Sequence, residues 1–192
     1  GGFCIGCGAC SVYDHKVRMK FAEGGQLRPV SDDGVSIDDI DRLCPFSDQV
    51  PDEDEISAEV FSGISGMDNY EGVGRYLSCV AGRVLDEERL SSASSGGLIT
   101  WVLGKLLSTG EISHVVHVRP ADDQTDFHPQ YEYAVSSSIE ELTNGSKSHY
   151  YPVHFGDLRS FIDATEGKVA ITCLPCFAKA IRLLQRQDER LR

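Results

Sequence analysis

The chain has 192 residues, room for one domain, or for one domain and a small appendage. Hydrophobic residues make up 41% and charged residues 25%, a globular balance that excludes fibrous and collagen-like classes and supplies a core. Thirty Asp and Glu against eighteen Lys and Arg leave a net charge of −12. That field repels phosphate backbones and anionic lipid, so neither nucleic acid nor a membrane surface is expected as a partner.

The best apolar run, Leu98 to Leu107, is broken by Lys105 and falls well short of the about 18 residues of a membrane span. The start, Gly-Gly-Phe-Cys, has no basic region followed by an apolar one and so is not a signal peptide. A cytoplasmic protein is expected. The chain does not begin with Met and closes in a helical pattern with no Gly or Pro stop, so it is expected to be part of something longer.

Residues 1–50 are Gly-rich and turn-rich, with one helical turn expected over Ser36 to Leu43, where Ile37, Ile40 and Leu43 recur at helical spacing. Residues 51–70 open Pro-Asp-Glu-Asp-Glu and carry Gly63 and Gly66, the composition of a solvated acidic linker. From residue 71 strands and helices alternate. Tyr76 to Val84 is expected as a strand, Gly97 to Leu107 as a largely buried helix, and His114 to Val118 and Tyr131 to Val135 as strands. A short helix opens at the capping box Ser138 to Glu141. Then come a helix within Phe155 to Thr165, a strand over Lys168 to Cys173, and a helix from Pro175 onward. The pattern reads as α/β, a small Cys-rich module at 1–50 followed by an α/β domain over 71–192.

Seven cysteines, three of them within the first ten residues, suit metal chemistry in a reducing compartment better than a disulfide framework. Cys4-Ile-Gly-Cys7-Gly-Ala-Cys10 has the C-x2-C-x2-C spacing that lets one tight loop place three thiolates around an iron-sulfur cubane. The closing ligand of the bacterial pattern is a Cys followed by Pro, and Cys44-Pro45 is the one such pair in the amino-terminal half. Cys4, Cys7, Cys10 and Cys44 are therefore assigned to one 4Fe-4S cluster, although spacing alone leaves Cys79 as an alternative fourth ligand. The competing reading is a zinc-stapled binding module using a second C-x2-C, Cys173 and Cys176.

Ser91-Ser-Ala-Ser-Ser95-Gly96-Gly97 precedes the apolar helix, gathering hydroxyls and open backbone N–H groups at a helix start, where phosphate groups bind well. It matches neither a P-loop nor a Rossmann fingerprint, and a plain Ser-rich cap is the simpler reading.

Taken together, Cys4-x2-Cys7-Gly-x-Cys10, Cys44-Pro45, Ser94-Ser95-Gly96-Gly97-x2-Thr100, Ser146-Lys147-Ser148-x-Tyr150 and Leu174-Pro175-Cys176 resemble the beta subunits of coenzyme F420 hydrogenases and dehydrogenases, whose relatives include bacterial chlorophyll-pathway reductases. The resemblance implies an iron-sulfur flavoprotein oxidoreductase that passes electrons between a 4Fe-4S cluster and FAD, with hydride chemistry on a deazaflavin or related substrate. It implies that Ser94, Ser95, Gly96, Gly97 and Thr100 lie along the flavin and that Ser146 and Lys147 contact its ring or pyrophosphate. A redox partner protein or a small-molecule substrate would complete the reaction, in a homo- or hetero-oligomer. Many relatives carry a second cluster motif where Cys10 is followed here by Ser-Val-Tyr-Asp, so one cluster is expected.

Lys147 beside a flavin would stabilise the anionic reduced ring; without the motif it reads as a solvated turn residue. His149 is a candidate proton donor next to the same motif, with a structural role as the plainer reading. His114 and His117, three apart in a strand, make a poor metal pair, and Trp101 reads as core. Pro175 suits the first position of a helix, which puts Cys176 in the first turn, beside the flavin or as a ligand to a further cluster. Cys173, closing an apolar strand, reads as a small buried hydrophobe, and a thioredoxin-like Cys173/Cys176 dithiol is the competitor.

Overall fold

The computed structural model describes residues 3–31, 40–122 and 130–192. A three-stranded sheet of order β6-β5-β7 organises the second half, with β5 (His114–Pro120) in the centre, antiparallel to β6 (Tyr131–Ser136) and parallel to β7 (Val169–Ile171). β-Branched Val115 and Val116 are both fully buried, and because successive strand residues face opposite ways each serves a different layer. Val115 packs with Leu103 and Leu142, from helices α4 (Leu98–Ser108) and α5 (Ile139–Asn144). Val116 packs with Tyr133, Phe155, Phe177 and Ile181, below α6 (Leu158–Asp163) and α7 (Pro175–Gln187). The result is a mixed α/β arrangement of small sheets, with helices on both faces of the central one.

The capping box opens α5 as expected: Glu141 N–H donates to Ser138 Oγ at 3.2 Å, and Ser138 N–H to the Glu141 carboxylate at 3.3 Å. α7 begins with Pro175 in its first turn and turns Phe177, Ala180, Ile181 and Leu184 inward. It closes at Gln187, where Asp188 takes extended backbone, rather than running to the last residue.

Several expectations are corrected. Tyr76–Val84 is no strand: the hairpin β3 (Asp68–Tyr70)/β4 (Gly74–Tyr76) ends at Tyr76, and the following segment is irregular. Leu77 and Val80 are exposed, and only Val84 is buried, its N–H donating to Gly96 O at 2.9 Å. The acidic stretch is not only linker. Asp52 caps α2 (Glu53–Phe61) through a second capping box with Glu55, and three acids in its first turn complement the helix dipole. Glu53 pairs with Lys179 at 3.3 Å and Glu59 with Arg186, which lays α2 against α7. α4 is less buried than its apolar sequence suggests: Leu103 and Gly104 are buried, while Ile99, Trp101 and Val102 are exposed. Trp101 is therefore not core. Of the turn expected at Ser36–Leu43, residues 36–39 lie outside the described residues, and at its end the N–H groups of Leu43 and Cys44 donate to Ile40 O.

Residues 3–31 fold as α1 (Ala9–Tyr13) and the hairpin β1 (Val17–Phe21)/β2 (Leu27–Ser31). They pack directly on the sheet layer: Cys7, Ala9 and Val12, joined by Leu43, belong to the same buried cluster as Phe155 and Phe177. Gly8 makes this approach possible. A Cβ there would lie 2.9 Å from Gly156 N, and its φ of +89° is one that side-chain-bearing residues rarely adopt. Among the described residues no helix is long and apolar enough to cross a membrane.

Candidate functional site

The amino-terminal cysteines converge. Cys4, Cys7, Cys10 and Cys44 all line one cavity of about 370 Å³, walled on the apolar side by Phe3, Ile5 and Phe46. The loop turns through Gly6 and Gly8, both at positive φ, and is tied at both ends. Arg28 donates to Cys4 O at 3.1 Å, and Phe155 N–H donates to Cys7 O at 2.9 Å. Burial pushes the Cys7 thiol up to about 12 and the Cys10 thiol up to about 11, each raised further by the neighbouring cysteines of the same four. Cys7 and Cys10 are thus held toward the neutral thiol, because a buried thiolate loses its hydration and is repelled by its neighbours. Among the described residues no three His, Cys, Asp or Glu form a group arranged to hold a metal ion. Cys79 is exposed, and neither it nor Cys173 or Cys176 lines this cavity.

A second cavity, of about 380 Å³, lies just beyond the carboxyl end of β7 and beside His117 and Val118 of β5, at the kind of edge where α/β sheets gather ligands. Thr100, Ser146, Lys147 and His149 line it, together with His117, Tyr133 and Cys173. A smaller one, of about 200 Å³, adjoins it through Thr100 and Ser146 and reaches Gly97. Two loops distant in sequence clamp this region: Ser146 Oγ donates to Ser92 O at 2.9 Å, and Ser148 N–H donates to Ser94 Oγ at 2.7 Å. The first turn of α4 has no side-chain cap and no acid, which leaves its N–H groups available to an anion.

Ser95 is exposed, and it, Gly96, Pro175 and Cys176 line neither cavity. Gly96 and Gly97 answer to the chain's own packing. A Cβ on Gly96 would meet Gly82 O at 2.7 Å, and Gly97 has φ +70° with Val84 Cγ2 3.0 Å away. Of the C-x2-C pair it is Cys173 that opens on the cavity, while Cys176 packs against the core, as Cys173 also does in part. Burial, with Cys176 adding to it, raises the Cys173 thiol.

His149 stacks on Tyr131 with ring centres 4.1 Å apart, and its Nε2 is buried with no hydrogen-bond partner. Burial lowers its pKa, so the ring is held toward the neutral form. His117, half of a pair whose strand spacing suits no metal, is buried, bonds Ser136 Oγ at 2.7 Å, and is kept toward neutral by burial and by Arg119. Tyr133 donates to Thr172 O at 3.1 Å. These two were invisible as site residues, since alternation in a strand gives only a face and not a cavity.

The fold is of the mixed α/β class, in which ligands gather at the carboxyl ends of strands. Residues 79–158 match the family model described as coenzyme F420 hydrogenase/dehydrogenase, beta subunit N-term. The resemblance is thereby supported over this stretch, which holds the Ser94–Thr100 and Ser146–Tyr150 motifs: it is similar to the amino-terminal part of that family's beta subunits. A solved chain of the F420-reducing NiFe hydrogenase complex from Methanosarcina barkeri is 25% identical, with a TM-score of 0.52, over 62% of this chain and 40% of that one. The present chain thus spans two fifths of that chain's length. No curated protein matches it.

Proposed function

We propose that the chain is the cluster- and flavin-binding part of a cytoplasmic oxidoreductase, in which residues 1–50 hold a 4Fe-4S cluster and residues 71–192 bind FAD. The observation that carries the reading is the convergence of four cysteines from two separate loops on one cavity. Four thiols, with Asp41 the one carboxylate and no imidazole in the lining, form a predominantly soft donor set, the kind that iron-sulfur clusters take. In this reading Cys4, Cys7, Cys10 and Cys44 hold the cluster. Because their thiols must ionise, loading releases protons and is favoured as pH rises. A bound cationic centre reverses the repulsion that otherwise keeps Cys7 and Cys10 protonated.

For the flavin, the supporting observation is the orphaned His149 Nε2 in the wall of a cavity rich in hydroxyls. A buried nitrogen without a partner costs about 1–3 kcal/mol, which a polar edge of a ligand would recover. Thr100 and Ser146 would bind, Lys147 would hold negative charge at the ring edge, and His149 would hold or release a proton there. When bound, the flavin supplies the two-electron chemistry, with a deazaflavin or a related small molecule as substrate and a redox protein as the one-electron partner. The match of residues 79–158 to that family supports the oxidoreductase setting.

Iron, sulfide, zinc and flavin analysis of anaerobically purified protein tests the reading. About four iron and four sulfide with bound flavin are expected. A colourless protein with stoichiometric zinc overturns it.

A further inference from the structure

The hairpin β1/β2 carries charge opposite to that of the chain as a whole. Residues 14–31 hold Lys16, Arg18, Lys20 and Arg28 against Asp14 and Glu23, in a chain of net charge −12. Asp14 precedes the first strand and Glu23 sits in the turn, so neither acid lies on the strands. Lys16, Arg18 and Lys20 are exposed and Arg28 is half-buried. Arg18 stands opposite Val30 and Lys20 opposite Arg28, and residues paired in this way share one face of a hairpin. The other face carries Val17 and Leu27, both buried, and the pair Met19 and Pro29, which lines the cysteine cavity. Arg28 joins the outer face to the cysteine loop through its bond to Cys4 O. Beside the hairpin, Arg18 lines a recess of about 620 Å³ with His15 and Arg159, where Asp157 is the one acid. Acids gather elsewhere, three in the first turn of α2 and two in that of α3 (Glu87–Ser92); Asp32 and Asp33, next after the hairpin, lie outside the described residues.

A positive face on an acidic chain selects its partner by charge. It attracts an acidic surface while the rest of the chain repels one, which steers an acidic protein into a single orientation. In that orientation the partner meets the outer side of the strands whose inner side, through Met19 and Pro29, walls the cysteine cavity. We propose that this face docks an acidic one-electron carrier protein, with Lys16, Lys20 and Arg28 taking its carboxylates. The inference rests on the cluster reading for the partner's role and not for the contact itself. In the transfer one electron leaves the reduced carrier and enters the oxidised cluster held by the four cysteines, and no bond forms or breaks.

Fluorescence-anisotropy titration of the full chain with a labelled, acidic plant-type 2Fe-2S ferredoxin tests the contact, with and without cluster. Binding should weaken at least about tenfold between about 0.01 and 0.15 M salt, as the screening length falls from about 30 to about 8 Å. Lys16→Glu combined with Lys20→Glu should cost about tenfold at low salt, the lower end of what a steering field supplies. Lys168→Glu, at an exposed lysine before β7, should change binding less than about twofold. In cluster-loaded protein, bleaching of the visible absorption by reduced ferredoxin should slow about tenfold in the double variant, while bleaching by dithionite stays within about twofold. Binding that is flat or rises with salt, an equal loss in Lys168→Glu, or tighter binding of a DNA duplex than of the ferredoxin overturns the proposal. So does low-salt self-association that the double variant abolishes, which would give the face to a second copy of the chain. A chain that never assembles a cluster yet binds the ferredoxin with this salt dependence refutes the function proposed above and leaves the docking face standing.

Discussion

Replacing Phe155 by Ala removes the ring that joins the cysteine loop to the sheet. Phe155 is fully buried, meets Phe177 edge-on at 5.5 Å and Tyr133 at 6.5 Å, and donates its N–H to Cys7 O. A buried aromatic side chain covers about 150–250 Å², worth about 4–6 kcal/mol at about 25 cal/mol per Å². Alanine keeps about 1 kcal/mol of that, so the loss is about 3–5 kcal/mol, the range found for large-to-small core changes. Against a total stability of about 5–15 kcal/mol this is a large fraction. Phe155→Leu keeps most of the volume and should cost about 1–2 kcal/mol. Urea denaturation gives the difference as a midpoint shift at unchanged slope. Since Cys7 shares this cluster, the Ala variant should also retain less iron after desalting than the Leu variant. A midpoint within about 1 kcal/mol of wild type, or identical behaviour of Ala and Leu, would refute the view that this aromatic contact supports the cysteine loop.

Three further outcomes are expected. Cys44→Ser should lose the visible absorption and reduced-state EPR signal of the cluster, and Cys79→Ser should keep both; the reverse would reassign the fourth ligand. Gly97→Ala should cost about 1–2 kcal/mol, since a residue with a Cβ pays to hold a left-handed conformation and here also meets Val84; a thermal melt with an unchanged midpoint would contradict this. Burial holds His117, His149 and His154 below the usual histidine range. The unfolded chain therefore takes up protons first, and stability is present above about pH 6.5 and falls as pH drops through it. Melts at pH 7.5 and 5.5 should differ less in His117→Gln than in wild type.

How far function can be read from this chain differs from motif to motif, for physical reasons. Local rules suffice where neighbours in sequence make the contact: the Ser138 capping box, Pro175 at a helix start and the alternating β5 and β6 all form as their residues imply. The cysteine spacing likewise marks three of the four thiols that share a cavity, because a Gly-assisted loop brings Cys4, Cys7 and Cys10 together by itself, while the choice of Cys44 over Cys79 rests on the fold. What lay outside the sequence was every choice made by packing. Tyr76–Val84 has strand composition but no partner strand to pair with, while α2 forms inside an acidic stretch once a cap and two basic residues of α7 receive it. Apolar content marked Trp101 as core, yet the layer that α4 meets covers only the Leu103 side of the helix. Of Cys173 and Cys176 the sequence favoured the second for the pocket, and the turn of α7 faces it to the core instead. The sequence by itself determined most elements of the second half, the amino-terminal thiol trio and a family resemblance that holds over residues 79–158. Only tertiary structure decided which face of each element meets a cavity, because that depends on contacts between residues far apart in the chain, such as Ser94 with Ser148 or Cys7 with Phe155.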